Sequence, residues 1–314
     1  MPENKLFLPE GLRPAAPPTL SSLREALEHG EILEAPVQRC DTGHTLHISL
    51  GGTRGQISRP EAIAPWVNGS GRDIAVLSRV GKPVCFKIQS LQADEKGAPV
   101  AVLSRKAAQE DAMSFFLENL EPGAVLTCRV VRLESYGAFL DIGCGIIAIL
   151  PIELISISRI QHSGVRLREG EKILAAVRSF DRKNRRITMT LRELLGTWME
   201  NASQFTPGET VQGTVRSVKE YGSFIELAPN LSGLADTREE LVPGDRVSVY
   251  IKSIRPERMK TKLQVIEKLP PLAEPEPLRY WITDGQIDRW TYSPPGYEKE
   301  PVETVFSSSV SGEC

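Results

Sequence analysis

Two stretches of this chain repeat one another in register. Pro122, Gly123, Val130, Tyr136, Gly137 and Phe139 recur as Pro207, Gly208, Val215, Tyr221, Gly222 and Phe224, each 85 positions on. A fixed offset marks one folding unit used more than once. Such units grip extended or repetitive partners rather than carry out chemistry in a single pocket.

Each copy alternates apolar and polar residues with a period of two, the mark of half-buried strands. The earlier copy predicts strands at 125–131, 138–142, 146–150, 173–177 and 187–191. The later one predicts them at 211–218, 224–227, 233–235, 247–251 and 262–266. Five short strands separated by turn residues suit a small closed sheet. Upstream, residues 45–50, 84–88 and 100–103 read as strands of a third, weaker barrel, with turns at Gly51, Gly52 and Gly55.

The expected fold is therefore mainly β: three tandem five-stranded barrels joined by short helices, with a hairpin tail. Residues 1–18, with Pro14, Pro17 and Pro18, read as a flexible lead-in, and 19–105 as the degenerate barrel. A helix opens the latter. Leu20, Leu23 and Leu27 share a face, Ser22 and Glu25 have capping-box spacing, and Gly30 supplies the stop. Helical connectors are expected at 106–120 and 192–203, and full barrels at 121–191 and 204–268. From 269 to 314 the chain is rich in proline and aromatic residues, with a hairpin expected around Asp284 and Gly285 and fraying after 298.

The formal net charge is -2, but it is unevenly spread. Residues 121–268 carry 22 Lys/Arg against 18 Asp/Glu, whereas 269–314 carry 3 against 8. The repeat region is thus mildly basic, which fits moderate, salt-sensitive binding to a polyanion. No apolar run is long enough to span a bilayer and no signal peptide is recognisable, so the reading is cytoplasmic with no membrane partner. Five widely spaced cysteines fit neither a disulfide framework nor a zinc site and read as free thiols, mostly buried. There is no phosphate loop, dinucleotide glycine pattern or nucleophile elbow, and His29, His44, His47 and His162 are dispersed. Asp141 and Glu226 hold equivalent strand positions and read as structural. No enzyme, cofactor or metal is expected.

An unpaired nucleic acid strand exposes bases that stack on aromatic rings while nearby cations meet its phosphates. Tyr136 with Phe139, and Tyr221 with Phe224, meet the first need. The turns around Arg185 and Arg186, and around Arg258 and Lys260, meet the second.

The order of Pro-Gly, alternating valines, Tyr-Gly-x-Phe, a glycine-rich turn and a closing Asp-Arg/Lys turn resembles the S1 RNA-binding domain. That module is an OB-fold barrel found in tandem in a protein of the bacterial small ribosomal subunit and singly in several ribonucleases. The resemblance is strong over 122–191 and 207–266 and weak over 30–105. It implies a single-stranded RNA face of two aromatics, a histidine, an acidic and a basic residue. On this sequence the positions are Tyr136, Phe139, Asp181 and Arg185 or Arg186, then Tyr221, Phe224 and Arg258 or Lys260. Pro151 and Asp236 stand where the histidine would fall. In the first barrel Thr42 and Thr45 lie near the aromatic positions, so it is not expected to stack bases. By the resemblance, that barrel or the tail docks on a protein surface such as the small ribosomal subunit. The alternatives are a scaffold that kept the barrels and lost RNA affinity, or an accessory subunit of an RNA-degrading assembly.

Overall fold

The computed structural model describes residues 7–13, 18–67, 71–236, 240–271 and 276–306. Helix α1 (Leu20–His29) precedes the first barrel, formed by β1 (Leu33–Cys40), β2 (Leu46–Leu50), β3 (Thr53–Ile57), β4 (Pro83–Ala93) and β5 (Pro99–Ser104), with a short α2 (Ile74–Leu77) between β3 and β4. Helix α3 (Arg105–Asn119) leads to β6 (Val125–Glu134), β7 (Gly137–Asp141), β8 (Ile147–Pro151), β9 (Lys172–Asp181) and β10 (Arg186–Thr190). A 3₁₀ turn (Arg192–Leu195) and α4 (Trp198–Ala202) lead to β11 (Thr210–Lys219), β12 (Gly222–Ala228), β13 (Leu231–Ala235), β14 (Arg246–Arg255) and β15 (Lys260–Leu269).

All three sheets close, in the spatial order first, second, third, fifth, fourth strand. The third and fifth strands run parallel and the other pairs antiparallel, the five-stranded OB arrangement. The first strand of each barrel carries a register shift at the same place, between Val37 and Arg39, Val130 and Arg132, and Val215 and Ser217. Such a bulge bends the strand, which a small barrel needs in order to close. The degenerate first barrel is therefore a full barrel. Gly55, expected in a turn, lies inside β3 opposite Ile48 and Ala101.

The caps explain where α1 begins and ends. Thr19, one turn before the expected Ser22 and Glu25 box, accepts from the Ser22 backbone N–H, and Gly30 ends the helix in the left-handed region.

Both ends of the chain depart from expectation. The sequence makes 1–18 a flexible lead-in, yet Phe7 is buried against Phe115 and Phe116, and the Leu8 carbonyl accepts from Cys144 N–H. Aromatic burial thus holds residues 7–13, while 1–6 and 14–17 lie outside the described residues. The expected Asp284–Gly285 hairpin does not form. Instead β16 (Arg289–Thr291) pairs with β17 (Glu303–Val305), so the chain does not fray at 298; residues 307–314 lie outside the described residues. The Gly285 carbonyl accepts from Val125 N–H, and Ile287 N–H donates to the Gly123 carbonyl, so this stretch pairs with the middle barrel and not with itself. Gly123 permits that approach: it has φ of +89°, and a Cβ there would lie 2.0 Å from the Ile287 carbonyl oxygen.

Trp198, Ile287, Trp290, Tyr292 and Phe306 then make a core of their own against the middle and third barrels. Cys85, Cys128 and Cys144 are buried and free and Cys40 is half-buried, while Cys314 lies outside the described residues. Among the described residues, no helix is long and apolar enough to cross a membrane.

Candidate nucleic-acid interface

Strand pairing sets the candidate face. In the middle barrel Arg132, Phe139, Ile149, Thr188 and Ser179 are successive cross-strand partners around one outward row. The third barrel repeats it as Ser217, Phe224, Leu234, Lys262 and Ser253. Phe139 and Phe224 are half-buried on this row, while their strand neighbours Leu140 and Ile225 fill the barrels. Period-two alternation requires this division, because one face of each strand must be solvated when the other closes the core.

The turn before each phenylalanine holds a tyrosine out in solvent. Tyr136 is 53% exposed and Tyr221 69%. The rings of Tyr136 and Phe139 lie 6.2 Å apart at 87°, and those of Tyr221 and Phe224 6.1 Å apart at 89°. Two equivalent pairs thus share one edge-to-face geometry, leaving aromatic surface for a flat apolar ligand. Arg132 stands over Phe139, 5.9 Å from its centroid.

The cations expected beside the rings divide into two groups. Arg186 and Lys260 are exposed at strand starts beside the turns. Arg185 lies over Trp66 of the first barrel, 5.2 Å from the ring centroid, and Arg258 is bonded at 3.1 Å to Glu298 of the tail. Asp181 accepts from the Asn184 side chain at 2.6 Å and from its backbone N–H at 3.0 Å, bonds that hold its carboxyl below the usual range and fix the turn. Asp236 is exposed, 3.7 Å from Lys252, so the negative charge expected beside the third face has a cation near it. Pro151 ends β8 opposite Gly137.

Residues that the sequence pattern did not single out emerge from the pairing: Arg132, Ile149 and Thr188 in the middle barrel, and Leu234 and Lys262 in the third. Counting across strands from the shared bulge would have found them.

The same count corrects the first barrel. Its row is Arg39, His47, Gln56, Val102 and Ser90, so His47 stands where Phe139 and Phe224 stand. His44, three residues earlier, takes the tyrosine place, and neither Thr42 nor Thr45 does. The path from Arg39 to its row partner His47 is one residue longer than those from Arg132 to Phe139 and from Ser217 to Phe224, which hid the correspondence. His47 lies 2.8 Å from Asp41, whose side chain also accepts from Gly43 and Thr45 N–H; the His47 bond leads in holding that carboxyl below the usual range. His44 is 3.7 Å from Asp73.

Asp141 and Glu226, two residues beyond the phenylalanines on the same outward side, seat the barrels on their neighbours. Asp141 accepts from the backbone N–H groups of Glu10 and Gly143, each at 2.8 Å, and of Gly145 at 3.1 Å. Burial, then the charge of Glu10, push it up to about 7. Glu10 is paired at 2.7 and 2.9 Å with buried Arg105. Glu226 accepts from Arg166 of the middle barrel at 2.6 Å and from Arg216 at 2.8 Å. Burial works to raise its pKa, but the two guanidinium groups hold it below the usual range. The excursion at 156–169, basic in sequence, thus commits Arg166 to a barrel junction. Among the described residues, no three His, Cys, Asp or Glu side chains gather as a metal site.

Residues 119–192 match the family model described as the S1 RNA binding domain. The chain is 31% identical over 203 residues to small ribosomal subunit protein bS1 of Leuconostoc lactis, an alignment covering 59% of this chain and 47% of that protein. It is 27% identical over 266 residues to the protein of the same name from Staphylococcus aureus strain COL, covering 80% of this chain and 65% of that one. The chain thus spans about half to two thirds of the length of these curated relatives. Among solved structures, a multidomain protein with nucleic acid binding domains from Streptococcus pneumoniae TIGR4 is similar at 13% identity and a TM-score of 0.26, covering 76% of this chain and 74% of that one.

Proposed function

We propose that this chain, a tandem S1-domain protein resembling small ribosomal subunit protein bS1, is a cytoplasmic, non-catalytic binder of single-stranded RNA that works beside the ribosome. The observation that carries the reading is the outward row built twice, with a wet tyrosine and a half-buried phenylalanine at matching positions. Bases stack on Tyr136 and Phe139 and on Tyr221 and Phe224. Phosphates meet Arg186 on one barrel and Lys260 and Lys262 on the other. The small ribosomal subunit as the docking partner follows from what the relatives are named for, and messenger RNA is the single-stranded RNA proposed to be held there. The first barrel and the tail are the parts left to face protein.

A protein-interaction scaffold is the second reading, and one observation favours it. Arg185 and Arg258 are occupied by Trp66 and Glu298, which lowers the positive charge free for RNA. Fluorescence titration with single-stranded RNA at two salt concentrations separates the readings. Tyr221→Ala/Phe224→Ala should weaken binding by about 1 to 3 kcal/mol per stacked base and leave the salt slope in place. Lys260→Ala/Lys262→Ala should flatten that slope by roughly 0.7 for each phosphate that is no longer neutralised. Failure of the parent protein to bind at low salt would leave the scaffold.

A further inference from the structure

A cavity of about 520 Å³ lies between the middle and third barrels, outside both aromatic pairs. That volume falls inside the roughly 300 to 1,000 Å³ of ordinary small-molecule sites. Four arginines line it, Arg166, Arg216, Arg246 and Arg279, against two carboxylates, Glu226 and Glu276. The wall is therefore net positive. Separate parts of the chain build it: the excursion of the middle barrel, the connector between the barrels, strands β11, β12 and β14 of the third barrel, and the tail.

The four guanidinium groups are not equivalent. Arg166 and Arg216 share Glu226, which offsets one of their two charges and engages both forks. Among the described residues, Arg246 and Arg279 bond only neutral acceptors. Arg246 donates to the Gln212 side chain and the Pro270 carbonyl, and Arg279 donates to the Gln204 side chain. A guanidinium held by neutral groups keeps its charge available, and its planar fork matches the oxygens of a phosphate.

A ring stands beside these cations. Arg279 lies 5.3 Å from the centroid of Trp281, whose backbone N–H donates to the Leu194 carbonyl at 2.8 Å. Gly196 lets the indole seat closely, since a Cβ there would come within 2.4 Å of it. A fixed indole next to a guanidinium held by a neutral partner is what a nucleotide needs, a flat surface for the base and a fork for the phosphate.

We propose that this cleft is a nucleotide-phosphate subsite, in which Arg246 and Arg279 hold the phosphate and Trp281 offers its surface to the base. The phosphate belongs either to RNA leaving Phe224, which rests on the function proposed above, or to a free mononucleotide. The first source is within reach. Glu226 lines the cleft and lies two residues along β12 from Phe224 on the same outward side, about 7 Å away at the rise of a strand.

The test titrates the full chain with adenosine 5′-monophosphate, adenosine, inorganic phosphate and a short single-stranded oligoribonucleotide, reading tryptophan fluorescence and heat. Arg246→Gln/Arg279→Gln is compared with Tyr221→Ala/Phe224→Ala, and Trp281→Phe identifies the reporting ring. Circular dichroism and thermal unfolding check that each variant folds. Loss of about tenfold or more in affinity for the mononucleotide or the RNA in the arginine variant supports the subsite, and whichever ligand responds names the source. If the mononucleotide responds, adenosine should bind more weakly than it does, and inorganic phosphate should compete. Unchanged affinity for both ligands in the arginine variant overturns the subsite. If the aromatic variant loses RNA while the arginine variant keeps its affinity for both ligands, the subsite falls and the RNA-binding reading stands. If only the arginine variant loses affinity, the subsite stands and the reading of the aromatic face falls.

Discussion

The two junctions between barrels use the same repeat position in different ways. Asp141 and Glu226 both lie two residues past the repeated phenylalanine, and both are buried where one barrel meets the module before it. Asp141 is met mainly by backbone N–H groups, with Glu10 and Arg105 forming an ion pair beside it. Glu226 is met by two guanidinium groups directly. Each junction is also closed by a chain end. Phe7, Leu8 and Glu10 fill the first, while Ile287, Trp290 and Tyr292 fill the second. One repeat therefore supports two electrostatic solutions, because the neighbour supplies the counter-group and the repeat supplies only the carboxylate.

The largest expected effect is at the second junction. Glu226→Ala leaves Arg166 and Arg216 without their carboxylate and should lower stability by about 3 to 5 kcal/mol, measured by chemical denaturation. Asp141→Ala leaves backbone donors unmet and should cost less, about 1 to 3 kcal/mol. Equal losses would break the contrast between the two solutions.

The strap on the second junction gives the next test. Gly123→Ala would drive a methyl into the Ile287 carbonyl, whereas Gly208→Ala, at the same repeat position, meets nothing within 4 Å. Both glycines have positive φ, so both variants carry backbone strain of about 1 kcal/mol. Only Gly123→Ala should release the tail, seen as faster proteolysis between the third barrel and the C-terminal strands.

The smallest effect is in pH dependence. Asp141, raised from 3.8 to about 7, contributes stability that is complete below 3.8 and lost as pH rises through about 7. Glu226, lowered from 4.5, contributes stability present above 4.5 and lost as pH falls. Between about pH 5 and 7 the parent should lose stability that Asp141→Asn does not lose, with a slope bounded by about 1.4 kcal/mol per pH unit for one proton, and the loss should level off above 7. Below pH 4.5, Glu226→Gln should flatten the parent's acid-side loss.

Much of the fold was legible because alternation and turn residues are local signals. All ten strands of the two strong repeats form where period two placed them, give or take a few residues. The aromatic pairs were legible for the same reason. The first barrel's His44 and His47 were not, since one extra residue between the row partners Arg39 and His47 shifts any comparison made by counting along the chain. Neither was the fate of Arg166, Arg185 and Arg258. An arginine left to solvent and one engaged by a neighbour look the same in sequence, and only a partner distant in the chain tells them apart.

The sequence by itself determined the repeated strand pattern and the wet tyrosines, because side-chain alternation and glycine turns act over a few residues. Tertiary structure alone decided that the two chain ends become straps, and that Gly123 accepts the tail while Gly208 stays open. It also decided which cations keep their charge for a ligand. Those outcomes depend on burial and on partners far along the chain, as in the bond from Cys144 to Leu8 or from Ile287 to Gly123.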